Sequence, residues 1–106
     1  MPTLPSITTR FTLGPAITDE QRAFLDTHGF LHFSRVATPD ELQMLTEEID
    51  AIQTRWLAEG RTRVYGIPLF VGRDDQGRPW LQRIAFASMF SERIKAFVRD
   101  ARFAPL

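Results

Sequence analysis

One stretch constrains this chain more than any other. Leu42, Leu45, Ile49, Ile52 and Trp56 recur at steps of three and four residues, which places them along one stripe of a helix. Upstream stands Thr38-Pro39-Asp40-Glu41, a capping box with proline at the first helical position, where its missing N–H is no loss. Gly60 follows the last turn and can take the left-handed conformation that ends a helix. The acids gather at the start, while Arg55, Arg61 and Arg63 lie at or past the end, matching the helix dipole. A helix of this length with an apolar stripe demands a partner surface.

The flanking elements are shorter. Thr18-Asp19-Glu20-Gln21 is a second capping box and predicts a helix from Asp19 to His28, stopped by Gly29, with Phe24, Leu25 and His28 facing inward. Phe30 to Val36 reads as a strand, with Phe30, His32, Ser34 and Val36 on one side and Leu31, Phe33 and Arg35 on the other. Residues 1–17 hold three of the seven prolines. They form either an arm laid along the body through Ile7, Phe11 and Leu13 or a free terminus.

Beyond the long helix, Arg63–Val71 and Arg78–Ala87 flank the polar stretch from Gly72 to Gly77. Two apolar runs around a Gly- and Asp-rich turn read as a β-hairpin. Pro68 makes the first strand an edge, bulged or broken at that point. Ser88 or Ser91 can cap a last helix whose inner face is Ile94, Phe97, Val98 and Ala101. The predicted class is α+β, in the order helix, strand, helix, hairpin, helix. Three strands cannot close a barrel or sandwich. Nine Phe, two Trp and one Tyr also call for more surface than these elements offer.

Composition removes several function classes. Thirteen basic and thirteen acidic side chains give no net charge, which argues against nucleic acid as a partner. No apolar run is long enough to cross a membrane, and the opening Met1-Pro2-Thr3-Leu4-Pro5 lacks the features of a signal peptide, so a cytoplasmic location is expected. Without cysteine there is no thiol nucleophile and no sulfur-based metal site.

The two histidines, His28 and His32, have the spacing of the H-E-x-x-H motif. Gly29 stands where that motif needs Glu, and it breaks the helix the motif requires. Neither histidine has an acid two positions on, so no metal ligand or catalytic residue is assigned. Asp74 and Asp75 read as turn formers. Gln82, between Trp80 and Ile84 on one strand face, points either into a ligand cavity or to solvent on an edge strand.

Leu25-Asp26-Thr27-His28-Gly29-Phe30-Leu31-His32-Phe33, then Val36 and Thr38-Pro39-Asp40-Glu41-Leu42, resembles the opening of the phytanoyl-CoA dioxygenase family. The segment from Trp80 to Phe103, a strand and a helix closing on Arg99-Asp100-Ala101-Arg102-Phe103, is similar to the family's stretch ahead of its metal motif. The resemblance spans roughly residues 18–103. It implies the N-terminal portion, residues 18–106 behind an arm of residues 1–17, of a double-stranded β-helix (jelly-roll) fold that is incomplete in this chain.

It further implies an Fe(II)- and 2-oxoglutarate-dependent oxygenase acting on a small-molecule or acyl substrate. The family's His-x-Asp, distal His and 2-oxoglutarate-binding Arg would lie downstream of Leu106. The cofactors would therefore belong to the complete enzyme, with none bound by this chain alone. Its partner would be the C-terminal remainder of the protein, or a second chain completing the barrel. By the same resemblance Gln82 and Trp80 are candidates for the 2-oxoglutarate or substrate pocket, and Arg83 and Tyr65 for its wall. The competing expectation is an independent α+β interaction module without catalysis.

Overall fold

The computed structural model describes residues 5–106. It is mixed α and β, and it divides into two compact units, residues 1–38 with 100–106, and residues 39–99.

In the first unit, α1 runs Asp19–His28 and the Thr18 capping box forms in full. The Gln21 amide donates to Thr18 Oγ1 at 3.1 Å, and the Thr18 amide donates to Gln21 Oε1 at 3.0 Å. That reciprocal pair explains why Gln21, a polar residue, is buried. Gly29 closes the helix at φ 80°. Phe24 is fully buried and takes Phe11 and Phe30 edge-on, at centroid distances of 5.3 and 5.6 Å. Leu25, expected inside, is exposed, and Gln21 takes the inward place beside Phe24.

The arm is partly fastened. Phe11–Thr12 forms β1, which pairs parallel with β2, Phe33–Ser34. The Phe11 amide donates to the His32 carbonyl at 2.7 Å, while Ile7 is exposed. The first four residues of the arm lie outside the described residues. The strand expected over Phe30–Val36 is thus only two residues long, because its partner is equally short and Arg35 turns to φ 56° directly after it. A 3-10 turn at Ala101–Phe103 completes this unit.

The second unit is built on α2, Pro39–Glu59. The Arg61 and Gly60 amides reach back to the Trp56 and Leu57 carbonyls at 3.0 and 3.2 Å, the double bond of a Schellman stop, with Gly60 at φ 63°. The apolar stripe is buried over its second half only. Ile52 and Trp56 are in the core, but Leu42 and Ile49 are exposed. The elements against α2 are short and meet it around Glu48, Gln53 and Trp56.

The first run of the expected hairpin does not form one strand. It folds on itself as β3, Arg63–Val64, and β4, Ile67–Pro68, antiparallel. The break falls at Tyr65-Gly66, both at positive φ (47° and 81°), which is the two-residue turn whose twist suits a hairpin. A second hairpin pairs β5, Val71–Arg73, with β6, Pro79–Leu81. Its turn is organised by Asp74, whose Oδ1 accepts from the Gln76 and Arg78 amides, both at 2.9 Å.

Two short helices follow, α3 (Ala87–Phe90) and α4 (Glu92–Val98). Ser91 caps α4 through a bond from the Ile94 amide at 3.1 Å, and its hydroxyl donates to Glu48 on α2 at 3.0 Å. Ile94 is buried, whereas Val98 and Ala101, both expected inside, are exposed. Ile52, Trp56, Val64, Leu69, Leu81 and Ile94 form the core of this unit.

The edges of the second hairpin are unequal. The Gln82 amide donates to the Phe70 carbonyl and the Asp74 amide to the Arg78 carbonyl. By antiparallel alternation, Gly72 and Trp80 then face each other as a bonded pair, and the polar groups of Val71, Arg73, Pro79 and Leu81 point outward. On β6 that outer edge is closed: Pro79 has no N–H, and the Leu81 amide donates to Gln53 Oε1 at 2.8 Å. On β5 the outward amides of Val71 and Arg73 meet no partner among the described residues.

Candidate functional site

The four residues expected at a pocket wall all lie on the hairpins of the second unit. Trp80, 40% exposed, lays its indole across Gly72. A Cβ at Gly72 would stand 2.7 Å from the ring, so the glycine is what admits it. Gln82 follows β6 with its side chain exposed, and its amide closes the ladder to Phe70 at 2.9 Å. Arg83 holds its guanidinium over Phe70 at 5.5 Å. Tyr65 is 67% exposed in its hairpin turn and meets Phe86 edge-on at 5.5 Å. Gln82 and Arg83 lie near Phe70, and Trp80 near Gly72, along the β5–β6 ladder; Tyr65 belongs to a separate aromatic group with Phe86 and Phe90.

Among the described residues, backbone conformation marks three side chains. Arg35, Tyr65 and Phe86 are the non-glycine residues at positive φ, a region that bulky residues rarely adopt. Tyr65 is explained by its turn, and Phe86 precedes the first turn of α3. Arg35 is neither in a hairpin turn nor at a helix end.

Arg35 instead lines a cavity of about 430 Å³ in the first unit, with Thr12, Leu13, Ser34, Val36 and Arg102. Thr12 and Ser34 are register partners across the parallel pair, so their hydroxyls lie on one face of it. Phe11, one residue away, takes the other face and packs on Phe24. The Ser34 hydroxyl has only a long contact, 3.5 Å, to the Phe11 carbonyl. Arg102 is held in place: its Nη1 donates to the Val36 carbonyl at 2.8 Å and its Nε to Asp100 Oδ1 at 2.9 Å. That guanidinium, joined by the Arg102 amide, pulls the Asp100 carboxyl below the usual carboxylate range against the opposing effect of desolvation. Sequence reasoning missed this site, because nothing in Ser34-Arg35-Val36 signals a left-handed arginine.

Both histidines are in the first unit. His28 packs against Phe24 at 4.5 Å and its Nε2 is buried without a hydrogen-bond partner, while His32 is exposed. Among the described residues no three His, Asp or Glu side chains gather into a group that could hold a metal ion. No described helix is long and apolar enough to cross a membrane. The chain matches no family model, no curated protein and no solved structure.

Proposed function

We propose that this chain is the N-terminal scaffold portion of an Fe(II)- and 2-oxoglutarate-dependent oxygenase of the phytanoyl-CoA dioxygenase type. Its hairpins would enter a double-stranded β-helix completed by further polypeptide, which would carry the metal ligands and the keto-acid site. The reading rests on the resemblance in residues 18–103, and one structural observation supports it above others. Among the described residues the outer edge of β5 is unpaired, and Phe70, Val71 and Trp80 on this hairpin are 40–53% exposed. A two-stranded ribbon is marginal alone, and an apolar, unpaired edge is a template for another strand. On this reading Trp80, Gln82 and Arg83 form one wall of the small-molecule site, with Tyr65 at its margin.

The test is expression of the longest reading frame containing these residues. Stoichiometric Fe(II) binding under anaerobic conditions and release of succinate from 2-oxoglutarate are expected. A frame that encodes no His-x-Asp pair or distal His, or a longer protein that binds neither iron nor keto acid, overturns the reading. A soluble, monodisperse 106-residue chain that melts cooperatively favours the independent interaction module instead.

A further inference from the structure

Two groups on the wall of the cavity beside β1 and β2, the Arg35 guanidinium and the Thr12 hydroxyl, add no hydrogen bond to the first unit among the described residues. Arg35 is kept in a backbone conformation that glycine would adopt freely, yet its guanidinium makes no hydrogen bond or ion pair among the described residues. A strained residue that repays nothing to the fold is a mark of a binding role. The other cation on the wall, Arg102, is already matched by Asp100 through contacts of 2.9 and 3.3 Å. The net charge of the lining is therefore that of Arg35 alone. Among the described residues Thr12 has no hydrogen bond through its hydroxyl, and Ser34 has only the long one to Phe11. The cavity thus offers an uncompensated planar cation, two adjacent hydroxyls on one strand face, and a volume of about 430 Å³.

We propose that this cavity binds a small molecule through an anionic group, carboxylate or phosphoryl, which pairs with the Arg35 guanidinium and accepts hydrogen bonds from Thr12 and Ser34. A guanidinium presents parallel N–H groups that fit either anion in a two-bond geometry. The fixed Arg102 and Val36 shape the opposite wall, and Leu13 supplies an apolar side for the rest of the ligand. The site is confined to the first unit and does not depend on the oxygenase reading.

Amide chemical shifts of the whole chain, titrated separately with inorganic phosphate and with succinate, test the proposal. Saturable shifts confined to Thr12, Leu13 and Ser34–Val36 are expected with at least one of them, and the stronger of the two identifies the anion. Arg35→Gln, which keeps the backbone restriction and removes the charge, should weaken binding about tenfold or more, as expected for a lost charge-assisted hydrogen bond. Arg35→Lys should retain part of it. Arg35→Gly should lose binding while its melting temperature holds or rises, since the strain is relieved. No saturable shift with either anion overturns the proposal. So does a Gln or Gly variant that binds as well as the native chain, or an Arg35→Gly chain that melts lower, which would give Arg35 a structural role.

Discussion

The Leu81 backbone amide donates to the side-chain oxygen of Gln53 at 2.8 Å, so a helix residue supplies what a neighbouring strand would otherwise give. This bond joins α2 to β6 and closes one edge of the hairpin. Gln53→Met keeps the volume and leaves the Leu81 amide without an acceptor. The expected loss is about 1–3 kcal/mol, the range for a buried donor left unpaired. Denaturant unfolding measures it, and hydrogen exchange should show the Leu81 amide turning from protected to fast. A protected amide in the variant would mean that another group seals that edge.

Gly72 and Trp80 form a second dependent pair. With a Cβ at position 72 only 2.7 Å from the indole, Gly72→Ala forces the ring off the strand. Trp80 is 40% exposed and can swing away, so the expected loss is modest, about 1 kcal/mol. The diagnostic is coupling: in Trp80→Ala the glycine should be replaceable at no loss. A double-mutant cycle that shows additive effects would remove the steric explanation.

Ser91 ties two elements at once. Its oxygen accepts from the Ile94 amide at 3.1 Å while its hydroxyl donates to Glu48 at 3.0 Å. Ser91→Ala removes both from a buried position and should lower stability by about 1–3 kcal/mol. Ser91→Asp retains capping capacity but sets two carboxylates together. It should therefore recover only part of the loss, and its melting temperature compared with that of Ser91→Ala separates the cap from the tie to α2.

These pairs show what was and was not legible in the chain. The bounds of α1 and α2 and the start of α4 were, because Thr18, Gln21, Gly29, Pro39, Gly60 and Ser91 act through chemistry within a few residues of themselves; α3, which no side chain caps, was not. The strands were legible only in part: the hairpin around the Gly72–Gly77 turn forms, but with strands of three residues. Tyr65-Gly66 breaks the run around it, but a tyrosine in a left-handed position leaves no trace in the amino-acid pattern. Burial along α2 was half legible: the stripe from Leu42 to Trp56 fixes the face, but only the placement of Leu81, Phe90 and Ile94 determines which half of it is covered. Of the candidate wall residues, Trp80, Gln82 and Arg83 lie on or just after the second hairpin, whereas Tyr65 sits in the turn of the first. The cavity lined by Arg35 was out of reach, since it depends on β1 and β2 pairing across about twenty residues.

The Asp74 turn gives a pH prediction with a definite sign. Its carboxyl is held below the usual carboxylate range chiefly by the Arg78 amide, against an opposing effect of desolvation, with the Gln76 amide and the Arg78 guanidinium adding to the lowering. A folded-state value below the unfolded one means that the ionised form is bound more tightly in the folded chain. The stabilisation is fully present above the unfolded value, about 3.9, and disappears as pH falls through the lower folded value. The Asp74 carboxyl carbon, followed by NMR, should therefore titrate below the usual carboxylate range. Asp74→Asn should be less stable than the native chain at neutral pH, and the two unfolding curves should converge as the solution is acidified. Because the Arg78 amide is the leading cause, Arg78→Ala should leave most of the depression in place, whereas Asp74→Glu, whose longer side chain moves the carboxylate away from the turn amides, should abolish it.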